Sequence, residues 1–402
     1  MGDINPSTLP GPEFIETKAG TKEGQTVMIN SGGGNISVYQ WSMGQNQWLL
    51  VGSVVDSSAQ EAETPSIDLG SSTSAPGPDT VAGSSDSGSH PLGPHAVFVT
   101  LTQVNFTPAL NRINVVNNNL LQQESSGHKL SLNSEQTAQL ASLVQALAKD
   151  VPLVPVTIPA MVPAVTTRSF TVEPSSISVV LKVATAWPYK DRLPGLDVLR
   201  CTAPSASLAE YADSQGNSVL DTLLPSILDY PKENGTELAA DPKSVENNAM
   251  MALRVITNLF ATSGGQQLIA KTALKIVDFL AHVLDVAGRK NRNLMVAWTS
   301  AASNLAVFTL REQEAKGHNS IGDSSSSLIK LLAVPILDLT DTEVVYRALI
   351  ALGNLASIPG QGDYAGQVRS ASARTWINLA MGKMDDARVK VVGEKILKLL
   401  GA

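Results

Sequence analysis

Three apolar stretches in the second half of the chain, MALRVITNLFAT (251–262), WTSAASNLAVFT (298–309) and YRALIALGNLAS (346–357), each carry one asparagine inside a pattern of buried-type residues at helical spacing. Aligned on Asn258, Asn304 and Asn354, they recur at 46 and 50 residues, and each is preceded by another apolar helical segment. Single amphipathic helices are marginal in isolation, so helix pairs repeating every forty to fifty residues predict an armadillo- or HEAT-like array in which stacking supplies the core.

The rest of the chain fits around that array. From residue 176 onward, helical segments such as LPGLDVLRCTA, GNSVLDTLLPSILDY, SVENNAMMALRVITNLFAT and ARVKVVGEKILKLLGA follow one another, joined by Gly, Pro, Asp and Asn turns. The intervening stretches 231–243 and 312–325 are expected to be loops at its edge. SLNSEQTAQLASLVQALAKD (131–150) predicts a helix capped by Ser134 or Asn133. Five prolines in 151–175 predict a crossing loop. Near the front, QTVMIN, NISVYQW and QWLLVGSVV predict a meander of three strands, too small to bury much apolar surface alone. In residues 57–95, 23 of 39 are Ser, Thr, Gly or Pro, with no Lys or Arg, so this stretch is expected to be a disordered linker. The fold expected is an all-α, armadillo/HEAT-like solenoid over 96–402 (lead-in 96–175, clear repeats 176–402), preceded by a β-rich segment in 1–56.

Composition narrows the chemistry. The chain carries 29 Lys+Arg against 36 Asp+Glu. The charge is uneven: residues 1–160 hold 5 basic and 13 acidic groups, residues 251–402 hold 17 and 12. A basic C-terminal part suits an acidic partner, whereas an acidic total opposes strong nucleic-acid binding. One cysteine, Cys201, excludes a disulfide framework, and five histidines lie at no ligand spacing, so neither metal nor cofactor is expected. No P-loop and no G-x-S-x-G elbow is present, and enzymatic activity is not expected. No run of eighteen apolar residues and no signal-peptide pattern appear, so neither membrane insertion nor secretion is expected.

In a solenoid the last helix of each repeat faces the groove. Asn258, Asn304 and Asn354 then have two readings: a ladder that pairs with the backbone of a bound peptide, or internal bonds to neighbouring helices. Arg254, four residues before Asn258, and Arg347, seven before Asn354, fall near the same faces and suit a ligand carboxylate. Lys190, Arg200, Trp298 and Trp376 are weaker groove candidates.

WPYKDRLPGLDVLR (187–200), NNAMMALRVITNLFATSGGQQLI, NRNLMVAWTSAASNLAV and VVYRALIALGNLAS resemble the PUL domain, the armadillo-like C-terminal domain of the phospholipase A2-activating protein and Ufd3/Doa1 family. The resemblance covers roughly 96–402. It implies a non-catalytic adaptor of the ubiquitin–proteasome pathway, in cytoplasm and nucleus, that binds the C-terminal tail of the AAA ATPase Cdc48/p97. Carried to this chain, the groove residues are Arg254, Asn258, Asn304, Arg347 and Asn354. A structural scaffold whose groove holds no such tail is the rival reading. LPGPEFIETKAGTKEGQT and VYQWSMGQNQWLLVGSVVDSS resemble the opening half of the family's ubiquitin-binding PFU domain. Where its second half is expected, this chain enters the Ser/Gly/Pro tract, and no WD40-like repeats precede residue 9.

Overall fold

In the computed structural model, the residues described are 26–32, 35–42, 47–55, 98–99, 106–123, 130–150, 171–233, 235, 241–286, 289–338, 341–359, 364–370 and 372–401. The chain divides into two units, residues 1–80 and 81–402.

The first unit contains the expected meander. Strands β1 (Thr26–Gly32), β2 (Asn35–Ser42) and β3 (Gln47–Val55) form an antiparallel sheet in the order β1-β2-β3. Trp41 pairs with Trp48 across β2 and β3, and bulges interrupt the register at Asn30/Gly32 and Val38/Tyr39. The proposed linker 57–95 and most of the crossing loop lie outside the described residues.

The described part of the second unit is helical. In chain order the helices are α1 (Phe106–Gln123), α2 (Ser134–Asp150), α3 (Pro174–Leu181), α4 (Leu193–Thr202), α5 (Ala206–Glu210), α6 (Val219–Leu228), α7 (Pro242–Leu259), α8 (Ser263–Val286), α9 (Arg292–Lys316), α10 (Ser325–Asp338), α11 (Thr342–Ala356), α12 (Tyr364–Ser370), α13 (Ala373–Lys383) and α14 (Ala387–Leu399). Five of them, α4, α7, α9, α11 and α14, pack side by side in sequence order as a front row, starting every 45 to 50 residues. Helices α8 and α10 pack behind it, with α13 beside α10. Asn133, not Ser134, caps α2: its Oδ1 accepts the Gln136 N–H at 2.8 Å, and Gln136 Oε1 accepts the Asn133 N–H at 3.1 Å. Ser372, whose φ of 64° lies in the left-handed region, stands between α12 and α13. The expected loop at 312–325 begins late, because α9 continues to Lys316 before Gly317 ends it.

Helix α9 explains how neighbours approach on both sides. Every residue from Leu294 to Leu310 except Val296 is buried. Its centre, WTSAASNLAVFT, is rich in small residues, which allow close packing against α7 and α11. The hydroxyls do not oppose this burial: Thr299, Ser300 and Thr309 donate back to carbonyls one turn earlier at 2.6–2.9 Å.

The stretch WPYKDRLPGLDVLR is the joint between the lead-in and the array. Trp187 is fully buried and donates its indole N–H to Leu130 C=O at 3.0 Å. Tyr189 donates its hydroxyl to Ile227 C=O at 2.8 Å, and burial pushes its pKa up to about 12, so it stays a donor. Arg192 donates to Trp187 C=O and Ser226 C=O at 2.8 and 2.7 Å. Asp191 accepts from Arg112 of α1 at 2.7 Å, and Asn248 of α7 donates to Tyr189 C=O at 2.8 Å. Gly195 permits the close crossing, since a Cβ there would lie 2.6 Å from Val183 Cγ1 and 2.8 Å from Ala184 N.

Candidate functional site

The asparagine repeat is real, but it points inward. Asn258, Asn304 and Asn354 are all fully buried. Asn258 donates to Arg200 C=O at 2.8 Å and Asn304 to Thr257 C=O at 3.1 Å, so each reaches back to the preceding front-row helix. The carbonyls they reach are among the last of α4 and α7, which have no partner within their own helix. Residue 204, which would donate to Arg200 C=O in a continuing helix, is Pro204 and has no N–H. Ala261, which would serve Thr257, turns to Asn258 C=O at 3.1 Å. The expected ladder facing a peptide is thereby corrected: a buried helix end needs a donor more than an open groove does.

Asn304 does more. Its Oδ1 accepts the Val99 N–H at 2.8 Å and its Nδ2 donates to Val99 C=O at 2.8 Å, holding both backbone groups of one residue from the lead-in. Phe98, also fully buried, stacks on Phe260 at 5.2 Å between centroids, and Phe260 meets Phe308 edge-on at 5.8 Å. Arg311 lies over the Phe98 ring at 4.1 Å. The bidentate backbone recognition expected for a ligand is thus spent on the chain's own lead-in. Asn117 of α1 repeats the device on Leu132, at 2.5 and 3.2 Å. Asn354 is the exception. By the same register it faces the middle of the longer α9, where helix carbonyls are already engaged. Its Nδ2 turns to Ile350 C=O of its own helix at 2.8 Å, and its Oδ1 has no hydrogen-bond partner among the described residues.

The residues that do reach the open face of the front row stand one and two turns before the asparagines. Eight positions before Asn258, Asn304 and Asn354 are Met250, Val296 and Tyr346, all partly exposed. Asn258 pairs with Arg200 as Asn304 pairs with Thr257, so Leu193 is their counterpart in α4, and Val391, 47% exposed, continues the lane in α14. Four positions before each asparagine the face is polar at the α4–α7 end, with Asp197 and Arg254, and less so beyond, with Ser300 and Ile350.

Arg254 is the group in this lane without a fixed partner: among the described residues it makes no hydrogen bond or ion pair. Burial, and then Arg200 nearby, push its pKa down to about 10, while Asp197 and Cys201 oppose the shift. It therefore remains charged at neutral pH and is poorly compensated. Arg200 itself is buried, donating to Asp197 at 2.6 Å. Arg347 is only 9% exposed and bonds Glu343 at 2.7 Å and Ser300 Oγ at 3.0 Å. Trp298 is fully buried, donating to Leu280 C=O at 2.8 Å, so it is a packing residue. Trp376 of α13 is partly exposed and packs against the core behind the front row, and Lys190 is exposed on the turn before α4. Of the nine sequence candidates, then, Arg254 lies on the open face and Arg347 at its margin. The apolar lane was missed, although Met250, Val296 and Tyr346 share one register with the asparagines.

Cys201, the α4 counterpart of Asn258, is buried, and burial pushes its thiol up to about 12. The native protein should accordingly not react with Ellman's reagent at pH 8 and should release one equivalent of thiolate only in denaturant. Rapid native labelling would contradict the packing of α4 on α7.

Among the described residues no group of three His, Cys, Asp or Glu is placed to hold a metal ion, and no helix is long and apolar enough to cross a membrane.

The chain matches the model of the PUL domain over residues 94–395 and that of PFU (PLAA family ubiquitin binding) over residues 18–70. The latter extends beyond the end of β3 at Val55, past the truncation expected at 56. It is 23% identical over 411 residues to the ubiquitin homeostasis protein lub1 of Schizosaccharomyces pombe, covering 93% of this chain and 52% of that protein. A 64-residue stretch is 39% identical to the phospholipase A-2-activating protein of Xenopus laevis, covering 16% of this chain and 8% of that one. The chain thus spans at most about half the length of these relatives. An engineered protein of solved structure aligns over 73% of this chain and 97% of its own with 15% identity and a TM-score of 0.43. With the PUL match covering most of its length, the chain belongs to the PUL-domain family.

Proposed function

We propose that this protein is a non-catalytic adaptor in ubiquitin homeostasis whose PUL domain binds the acidic C-terminal tail of a Cdc48/p97-type ATPase on the open face of the front row. The observation that carries the reading is Arg254: a charged guanidinium, poorly solvated and without a fixed partner among the described residues, beside an apolar lane of Leu193, Met250, Val296 and Tyr346. An extended tail crossing these helices would set apolar side chains on that lane and a carboxylate on Arg254. The PUL match and the name of the yeast relative support the adaptor role, and the PFU match supports a ubiquitin contact through the β-sheet unit. The cytoplasm and nucleus are the proposed location.

Fluorescence polarisation of the whole protein with a labelled peptide of the last ten or so residues of Cdc48 tests this. A peptide with its acidic residues replaced by amides should bind at least about 10-fold more weakly, and added salt should weaken binding of the acidic peptide. Equal affinity for the two peptides, or no binding of either, would favour the scaffold reading.

A further inference from the structure

We infer that Glu343 is an internal competitor for anions: its carboxylate occupies a second acidic-peptide position, formed by Arg347 and Arg388, and thereby limits how tightly the open face holds its ligand. The inference rests on the groove reading above.

One carboxylate spans two repeats here. Glu343, in the first turn of α11, accepts from Arg347 Nε through Oε1 at 2.7 Å and from Arg388 Nη1 of α14 through Oε2 at 3.0 Å. Arg347 also reaches back to Ser300 of α9 at 3.0 Å. Arg388 is further bonded to Asp386 at 3.0 and 3.3 Å, and its guanidinium lies 4.6 Å over the Tyr346 ring. These contacts, with Asp386 the strongest, hold the Arg388 pKa above its ordinary value. Two guanidinium groups and two carboxylates thus make the α11–α14 end neutral. At the other end Arg200 is paired with Asp197, and among the described residues Arg254 makes no hydrogen bond or ion pair. The two ends have similar donors but different internal acids.

Tyr346 joins the apolar lane to this cluster, so a peptide lying on the lane from Arg254 would arrive beside Arg388. The Arg388 side chain is 41% exposed and reachable, whereas Glu343 is 13% exposed and covers Arg347. A peptide carboxylate arriving there meets a site already filled by one of the same chemistry. Removing the Glu343 charge while keeping its shape should open it.

The test compares E343Q, with the control E394Q, for binding of the Cdc48-tail peptide by the whole protein. Glu394 is an exposed acid on α14, so E394Q reports the general effect of removing one negative charge. E343Q should bind about 5- to 10-fold more tightly than wild type and lose more affinity on adding salt, with E394Q changing less than about 2-fold. An E343Q affinity no higher than that of E394Q overturns the inference. Asp386→Asn keeps a competent helix cap and unloads Arg388 from its other side. It should gain about 2- to 3-fold, which keeps the test decisive if E343Q loses its helical signal, and no gain there also overturns the inference. Arg254→Ala separates the two ideas: if it abolishes binding while E343Q gains nothing, only the competitor role fails; if it leaves binding unchanged, the groove reading itself fails.

Discussion

Replacing Asn304 with Leu should destabilise the helical unit by about 3–5 kcal/mol, while Asn354→Leu should change its stability by less than about 1 kcal/mol or raise it. The two residues occupy the same register and are both fully buried, so side-chain volume and helix propensity do not distinguish them. Their hydrogen bonds do. Loss of the Asn304 amide would strand three groups: the half-buried Val99 N–H and C=O and the buried Thr257 C=O. Each stranded group costs about 1–3 kcal/mol, with partial relief by water at the half-buried Val99. Asn354 donates only to a carbonyl of its own helix, and its Oδ1 makes no bond among the described residues, so an apolar side chain removes a desolvated acceptor and strands nothing new. Thermal melting followed by far-UV circular dichroism, which reports the helices, should show a drop of roughly 5–10 °C for N304L alone. A comparable drop for N354L would mean that the third asparagine holds a partner after all.

The array was legible in the sequence because its signal is periodic and local. The 46- and 50-residue spacing gave the repeat, and the front-row helix starts follow it. The three strands were legible because β-branched and aromatic runs stood between a glycine run and a turn. The direction in which the asparagines point was not legible from spacing, since a groove ladder and a buried clasp demand the same positions. One cue was present: Pro204 lies four residues after Arg200 and marks a carbonyl lacking its helical donor. No such cue marks Thr257, whose loss of a partner follows from where α7 ends, or Val99, which lies 205 residues from Asn304. Arg254 and Arg347 looked alike in sequence. What separates them is long-range: Arg347 meets Ser300 from the helix before it and shares Glu343 with Arg388 from the helix after it.

Arg254→Ala should weaken binding of the Cdc48-tail peptide by about 30-fold or more, the loss expected when a poorly solvated charge pair with a ligand carboxylate is removed. The substitution should leave the fold intact, because no described partner depends on this guanidinium and it currently lies near the like charge of Arg200. Arg254→Lys should recover only part of the affinity, as an ammonium cannot reproduce the two-pronged contact. The apolar lane makes a separate contribution, and Met250→Ser should cost about 3- to 10-fold without altering the salt dependence.

The most direct measurement is a double-substitution cycle by titration calorimetry, using wild type and R254A against the tail peptide with free or amidated acidic groups. The groove account predicts that R254A and loss of the peptide's acidic groups are strongly non-additive, with a coupling of about 1.5 kcal/mol or more. Additive losses, or an R254A protein that binds both peptides as wild type does, would contradict it.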